Sequence, residues 1–155
     1  MKVAIYPGSF DPITNGHLDI LKRALNVFDK VVVLVAINPD KKGRFPIEER
    51  VEMIKEAVSD LPNVEVDSWE GLTVEYANKI GAKHLIRGLR AVTDFEYEYQ
   101  LSSANEIVDR SVDMVFFMSR GETSTLNSST IMEFHKHGYD VSKLVPPSVY
   151  KRLKK

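Results

Sequence analysis

The chain has 155 residues, of which 43% are hydrophobic and 28% are charged, as in an ordinary globular domain. It contains no cysteine, which excludes a disulfide scaffold, a thiolate metal site and a cysteine nucleophile. With 21 Lys and Arg against 22 Asp and Glu, the formal net charge is -1, which argues against a general binder of nucleic acids or membranes.

Apolar runs alternate with segments of helical spacing along the whole chain. The predicted elements, in order, are strand 3–6, a helix with an apolar stripe over 18–28, strand 31–37, a helix with a stripe over 47–61, strand 64–66, helix 72–80, strand 84–87, a helix opening with a capping-box pattern at 93–96, strand 114–118, helix 128–138 and a last helix from 146 to 155. We expect the strands to be buried. This order predicts one α/β domain over residues 1–155, with a doubly wound, Rossmann-like, five-stranded parallel sheet and helices on both faces.

Short apolar runs also bear on location. Residues 3–6 are too few for a signal peptide, and residues 31–37 fall far below the ~20 residues of a membrane span. We therefore expect a cytoplasmic protein.

Doubly wound sheets bind ligands beyond the carboxyl ends of their strands, so the loops there are the first place to look for a site. The loop after the first strand holds Gly8 and Gly16 and leads to His17 in the first turn of a helix, a setting that suits phosphate. The helix dipole disfavours imidazolium, so we expect His17 to be a neutral hydrogen-bond donor. Its alternative role is capping or packing. Neither standard glycine-rich nucleotide fingerprint is present.

Basic residues follow two other strands. Lys41 lies in the loop after the second strand, beside the loop after the first, although charged loops are often only solvated. Arg87 and Arg90 flank a glycine after the fourth strand, and paired guanidiniums suit phosphate. Alternatively, these arginines are surface partners of Asp94 or Glu96.

A Ser- and Thr-rich segment, residues 119–130, leads from the last strand into a helix and is longer than an N-cap requires. It is a candidate second site for phosphate oxygens. Phe95, Tyr97 and Tyr99 are predicted to pack in the core or against another subunit rather than to form a ligand wall. The histidines show no spacing typical of a metal site.

Four segments together, GSFDP at 8–12, TNGH at 14–17, RGLR at 87–90 and NSS at 127–129, resemble the bacterial phosphopantetheine adenylyltransferases over nearly the whole chain. Thr-x-Gly-His marks a broad nucleotidyltransferase superfamily. The RGLR segment followed by DFEYE at 94–98 is far more specific.

The resemblance implies transfer of an adenylyl group from ATP to 4'-phosphopantetheine, giving dephospho-coenzyme A and pyrophosphate. It implies ATP contacts at Ser9, Phe10, His17, Gly88, Leu89, Arg90, Glu98, Thr123, Ser124, Thr125, Leu126, Asn127, Ser128 and Ser129. It implies phosphopantetheine contacts at Ser9, Lys41, Thr73, Arg87, Leu101, Asn105 and Glu133. It further implies magnesium carried with ATP, a homohexamer, and inhibition by coenzyme A.

One position departs from the family pattern, because Asn127 stands where the family commonly has the first of three serines. Asn also caps helices well, so a loop that binds through backbone N–H groups tolerates the change.

A phosphate monoester has a second pKa of about 6, so the acceptor is ionised at neutral pH and needs no general base. We therefore expect direct in-line attack without a covalent enzyme intermediate, with His17, Lys41 and Arg90 as the catalytic groups. The alternatives are a sister enzyme acting on glycerol phosphate or nicotinamide mononucleotide, a silent nucleotide sensor, and a redox Rossmann domain, the last disfavoured by the missing glycine fingerprint.

Overall fold

In the computed structural model, which describes residues 1–90, 92–121 and 126–154, strands and helices alternate as the sequence predicts. The strands are β1 (Val3–Gly8), β2 (Lys30–Ile37), β3 (Val64–Glu70), β4 (His84–Leu89) and β5 (Asp113–Met118). The helices are α1 (Asn15–Ala24), α2 (Ile47–Ala57), α3 (Thr73–Ile80), α4 (Val92–Val108), α5 (Ser128–Lys136) and α6 (Pro147–Leu153). Among these residues, no helix combines the length and apolar character needed to cross a bilayer.

All strand pairs are parallel, and the strands lie in the order β3-β2-β1-β4-β5, which confirms the predicted five-stranded parallel sheet. The chain therefore builds outward from β1 to one side, then returns to place β4 on the other side of β1. Strand order reverses between β1 and β4. This reversal opens a crevice beyond the carboxyl ends of those two strands.

Alternate residues of the central strands face two separate apolar clusters. Val31, Val33 and Val35 of β2 belong to the larger cluster, which also contains residues of α1, α2, α5 and α6. Val32 and Leu34 belong to the smaller cluster with residues of α3. Each fully buried aliphatic side chain of this kind contributes roughly 1.5–3 kcal/mol, so the two-sided core fixes the central strands firmly and holds their carboxyl ends in register.

The expectation that every strand is buried is wrong for the sheet edges. β3 alternates between half-buried and exposed residues, and β5 has none that is fully buried. Each of these strands has a neighbour on one side only, which leaves its outer flank less covered.

Two further expectations also need correction. Helix α4 begins at Val92, so Thr93 is its second residue rather than a preceding N-cap. The side chains of Phe95, Tyr97 and Tyr99 are all more than half exposed, so the expectation that they pack in the core is wrong, while packing against another subunit stays a prediction.

Candidate active site

A cavity of about 930 Å³ lies beyond the carboxyl ends of the sheet, where the loops after β1, β2, β4 and β5 meet. Most of the predicted site residues line it: Ser9, Phe10, His17, Lys41, Arg87, Gly88, Arg90, Glu98, Leu126, Asn127, Ser128 and Ser129. Sequence positions as distant as Ser9 and Ser129 thus share one cavity.

Other predicted residues lie elsewhere. Leu89, Thr73, Leu101, Asn105 and Glu133 are not part of the cavity wall. Asn105 contacts the Met114 sulfur through its Nδ2, and Glu133 bonds to Nε2 of His137. The assignment of Leu89 to ATP and of the other four residues to phosphopantetheine stays a prediction. Thr123, Ser124 and Thr125 lie outside the described residues.

The loop after β1 is folded back tightly on itself. Phe10 adopts φ of 45° and is followed by a cis Asp11–Pro12 peptide bond. Its ring packs edge-on against Tyr6 at 5.3 Å and against His17 at 5.0 Å between ring centroids. A Cβ at Gly8 would lie 3.1 Å from the Phe10 ring, so this close approach favours glycine. Phe10 therefore supports the loop and the imidazole mainly by packing.

The Nδ1 of His17 has a hydrogen-bond partner, and its Nε2 has none among the residues that the structure describes. Its Nδ1 accepts the backbone N–H of Thr14 at 3.0 Å, while Oγ1 of Thr14 accepts the His17 N–H at 3.3 Å, forming a capping box at the start of α1. An Nδ1 that accepts a hydrogen bond carries no proton, so the neutral ring holds its proton on Nε2. His17 therefore caps the helix, as one of its two expected roles requires, and its Nε2–H stays the predicted donor to a ligand.

Burial of the ring, followed by the charges of Arg90 and Arg87, lowers the pKa of His17 to about 4. The lowered pKa agrees with the expected neutral imidazole, but its causes are burial and the two arginines rather than the helix dipole. In the unfolded chain the same group titrates near its ordinary value of 6.5.

This difference predicts a pH-dependent stability. Between pH 6.5 and pH 4 the unfolded chain protonates His17 and the folded chain does not, so the free energy of unfolding should decrease as pH falls through that window. Urea denaturation at several pH values would measure it, with His17→Asn as the comparison that removes this titration. We expect the variant to show a shallower pH dependence; an equal slope in both proteins would contradict the lowered pKa.

Arg87 is fixed by a carboxylate from α4. Its Nε and Nη2 donate to Glu98 at 2.6–3.0 Å, and its Nη1 donates to the Pro7 carbonyl at 3.1 Å. Desolvation lowers the pKa of Arg87, but the hydrogen bonds and charge of Glu98 outweigh it and raise the pKa. Glu98 is 4% exposed. The side chain expected to contact ATP therefore orients Arg87.

Arg90 and Lys41 are held less tightly. Nε of Arg90 pairs with Asp94 at 3.2 Å, and Asp94 also accepts the Arg90 backbone N–H. The ion pair with Asp94 that the alternative predicted is thus present for Arg90, while Arg87 pairs with Glu98 rather than with Glu96. The Lys41 side chain is exposed at the cavity wall, on the loop after β2.

The amino end of α5 forms a further part of the wall. Asn127 is its N-cap, and the side-chain oxygen accepts the Thr130 N–H at 2.8 Å. The expected capping by asparagine is confirmed. Ser128 donates to the Pro12 carbonyl at 2.8 Å, which ties this helix to the loop after β1.

Among the cavity residues that the sequence did not predict as ligand contacts are Asp11, Arg44, Arg50 and Tyr97, the last of which was expected to pack rather than to line a ligand site. Asp11 accepts the backbone N–H groups of Arg44 and Phe45 and pairs with Arg50 at 3.4 Å. In the sequence, Asp11 reads as a turn residue and Arg50 as the polar side of a helix. Because 39 positions separate the two residues in the sequence, only the folded structure shows that they pair.

Cavity carboxylates do not form a set suited to Mg²⁺. Asp11, Asp94 and Glu98 each face a guanidinium at 3.4 Å or less, and Asp19 pairs with Arg23 at 3.1 Å. Within the described ranges, no group of three or more His, Cys, Asp or Glu residues is placed to hold a metal. The arrangement suits a polyanion: oriented guanidiniums, an exposed lysine, a neutral N–H donor and a helix amino end.

Comparisons with known proteins agree with this geometry. A family model described as Cytidylyltransferase-like matches residues 5–134. The chain is 50% identical over 153 residues to a phosphopantetheine adenylyltransferase of Caldanaerobacter subterraneus subsp. tengcongensis, covering 99% of this chain and 96% of that protein. It is 52% identical over 153 residues to a phosphopantetheine adenylyltransferase of Clostridium novyi, covering 99% and 95%.

The fold also matches a solved structure. A protein of Vibrio parahaemolyticus described as a nicotinate-nucleotide adenylyltransferase superposes with a TM-score of 0.76, covering 99% of this chain and 93% of that one, at 22% identity. At that identity the likeness concerns the fold alone.

Proposed function

Because the chain belongs to the Cytidylyltransferase-like family, and within it to the phosphopantetheine adenylyltransferases, we propose that it transfers the adenylyl group of ATP to 4'-phosphopantetheine. The products are dephospho-coenzyme A and pyrophosphate, a step in coenzyme A synthesis. The observation that carries this proposal is that His17, Lys41, Arg87, Arg90 and the amino end of α5 line one cavity.

The reaction needs little covalent help from the protein. The acceptor phosphate is largely ionised at neutral pH, so its oxygen attacks the α-phosphorus of ATP directly and pyrophosphate leaves in line. The obstacles are repulsion between two anions and the charge that accumulates on the α-phosphoryl oxygens. Holding the reactants together contributes on the order of 7–11 kcal/mol, and one preorganised donor roughly 3–4 kcal/mol.

Each proposed role follows from a position in the cavity. The Nε2–H of His17 donates to the α-phosphoryl group as negative charge develops, and its lowered pKa keeps it neutral throughout the physiological range. Lys41, on its exposed loop, contacts both the incoming and the α-phosphate. Arg90 holds the pyrophosphate end, and Arg87, fixed by Glu98, holds the phosphate of the acceptor.

Magnesium enters this proposal as a companion of the nucleotide. The carboxylates that line the cavity are engaged by arginines or backbone N–H groups, so the protein's donor set does not fit a resident Mg²⁺. Phosphate oxygens and water are the ligands that Mg²⁺ prefers when few carboxylates are offered.

A sister acceptor such as glycerol phosphate or nicotinamide mononucleotide is the principal rival, because the fold alone does not select the phosphorylated acceptor. The near full-length relatives at about half identity support phosphopantetheine instead.

The proposal predicts a selective assay. Purified protein with ATP and Mg²⁺ should release pyrophosphate strongly with 4'-phosphopantetheine and weakly with glycerol phosphate or nicotinamide mononucleotide. Dephosphorylated pantetheine serves as the matched control, since it keeps the arm and lacks the nucleophile. Release that is equal with all acceptors, or absent with phosphopantetheine, would overturn the assignment.

We further propose a homohexameric, cytoplasmic enzyme that coenzyme A inhibits. Exposed apolar side chains on α4, including Phe95, Tyr99 and Ile107, support subunit contacts through this helix. Coenzyme A carries the adenylyl and pantetheine portions of the product, which supports competition for the same cavity. Sedimentation velocity tests the assembly, and a monomer at assay concentration would contradict it.

A further inference from the structure

Two ions in the cavity wall have no part in the reaction described above. Asp11 is 8% exposed and Arg50 is 7% exposed, and their charged groups lie 3.4 Å apart. Removing charges from water costs several kcal/mol per ion, and the attraction between them often only compensates for this. The pair therefore calls for a role that an apolar contact of the same volume would not fill.

The hydrogen bonds of the pair run to two different loops. Asp11 belongs to the loop after β1, yet its Oδ2 accepts the Arg44 N–H at 2.7 Å and its Oδ1 accepts the Phe45 N–H at 2.9 Å. Arg50, in the first turns of α2, donates from Nε to the Phe45 carbonyl at 2.8 Å and from Nη1 to the Ser9 carbonyl at 3.2 Å. The Asp11 carboxylate thus binds the backbone of the loop after β2, and the Arg50 guanidinium binds the backbone of both loops.

The loop after β2 passes directly against this pair. A Cβ at Gly43 would collide with the Arg50 guanidinium and would lie 2.9 Å from Oδ2 of Asp11. Lys41 is two residues before Gly43 and is carried by the same loop. Only two positions along the chain therefore separate Lys41 from the part of this loop that rests on the ion pair.

A third element, the amino end of α5, is connected to the two loops by an exposed arginine. The Arg44 guanidinium donates from Nη1 to the Asp11 carbonyl at 3.2 Å and from Nη2 to Oγ of Ser129 at 2.9 Å. Arg44 thereby connects the loops after β1 and β2 with the amino end of α5. Its side chain is exposed, unlike the buried pair beneath it.

We propose that Asp11 and Arg50 are positioning residues that hold the loop carrying Lys41 at a fixed distance from the loop carrying Ser9. The kinetic consequence rests on the proposed function, in which Lys41 contacts the incoming phosphate of the acceptor. Neither ion touches the reacting atoms. Their contribution is to keep Lys41 where the incoming phosphate meets the α-phosphate of ATP.

Asp11→Asn and Arg50→Lys test this, because each preserves approximate volume while removing the double attachment. We expect kcat/KM for the acceptor to fall by about ten- to a hundredfold, since a misplacement of ~1 Å can cost 10²-fold. The KM for ATP should change by less than about threefold, which separates lost positioning from general damage. Backbone amide exchange at Arg44 and Phe45 should become faster in both variants.

The matched control is Arg152→Lys. Arg152 is also largely buried and pairs with Glu49, Glu52 and Glu56 between α2 and α6, outside the cavity wall. It should lower Tm and leave kcat/KM and the exchange at Arg44 and Phe45 unchanged. Equal kinetic losses in the control and the cavity variants at equal losses of Tm would overturn the proposal, as would unchanged exchange.

A milder variant covers the case in which the buried substitutions do not fold. Arg44→Met removes the outer bonds from an exposed position and should raise the acceptor KM with a smaller loss of Tm; wild-type kinetics in that variant would overturn the outer connection.

If the wild-type protein released no pyrophosphate, the proposed function would fail, whereas the exchange experiment would still decide whether the pair fixes the loop.

Discussion

Replacing His17 by alanine is expected to lower kcat by about a hundredfold or more with little change in nucleotide affinity, because its donor acts on charge that exists only in the transition state. The free Nε2–H makes this expectation specific. Since the Thr14 N–H occupies Nδ1, the ring has a single donor to offer. Steady-state kinetics and direct measurement of ATP binding would separate the two effects.

His84 provides the control for the His17 experiment. It stands at the start of β4, at the end of the sheet opposite the cavity, where its ring packs on Phe28 at 5.3 Å between centroids. His84→Ala should cost stability without a comparable loss of kcat. Equal losses of rate and ATP affinity in His17→Ala would make His17 a ground-state binding group instead.

Replacing Lys41 by alanine is expected to reduce turnover and to weaken capture of the phosphorylated acceptor, with kcat/KM for the acceptor lower by about a hundredfold. The ammonium group is proposed to contact both phosphates, so its loss removes attraction in the ground state and leaves repulsion uncompensated in the transition state. Kinetics at varied acceptor concentration would measure both parts.

Lys42 is the matched control, since it is adjacent, carries the same charge and lies in the same cavity wall. If position matters, Lys42→Ala should lose much less activity than Lys41→Ala. Similar losses in both variants would show that the loop acts only through its overall charge, and full activity of Lys41→Ala would remove this residue from the mechanism.

The order of strands and helices could be predicted from the sequence because the spacing of apolar residues indicates which side chains are buried, and buried positions recur regularly in this fold. Val31 to Val35 of β2 face both sides of the sheet, and such a continuous apolar run is typical of a central parallel strand. The edge strands were misjudged because short apolar runs do not show how many neighbours a strand has.

The site was predictable where it depends on local chain geometry. His17 follows a turn at the end of a strand, and Arg87 and Arg90 end another strand, so parallel topology alone brings them together. The partners of these residues were harder to predict. Glu98 of α4 meets Arg87 of β4 only in the folded chain, because the apolar pattern of a helix does not show which strand residue each position will face.

Long-range ion pairs lie beyond such reasoning altogether. Asp11 and Arg50 are adjacent in space because two loops and a helix converge; the sequence marks Asp11 only as part of the GSFDP segment and does not indicate its partner. The resemblance to a known family supplied the residues expected to contact ligands, but not the groups that hold those residues in place.

Counter-ions already supplied by α4 bear on how the enzyme responds to ionic strength. Asp94 and Glu98, one helical turn apart, neutralise Arg90 and Arg87 before any nucleotide arrives. Added salt therefore screens little net charge at those two arginines. Substrate capture should depend on added salt mainly through the exposed lysines of the loop after β2. We expect this dependence to be less steep than the number of basic side chains in the cavity wall would suggest.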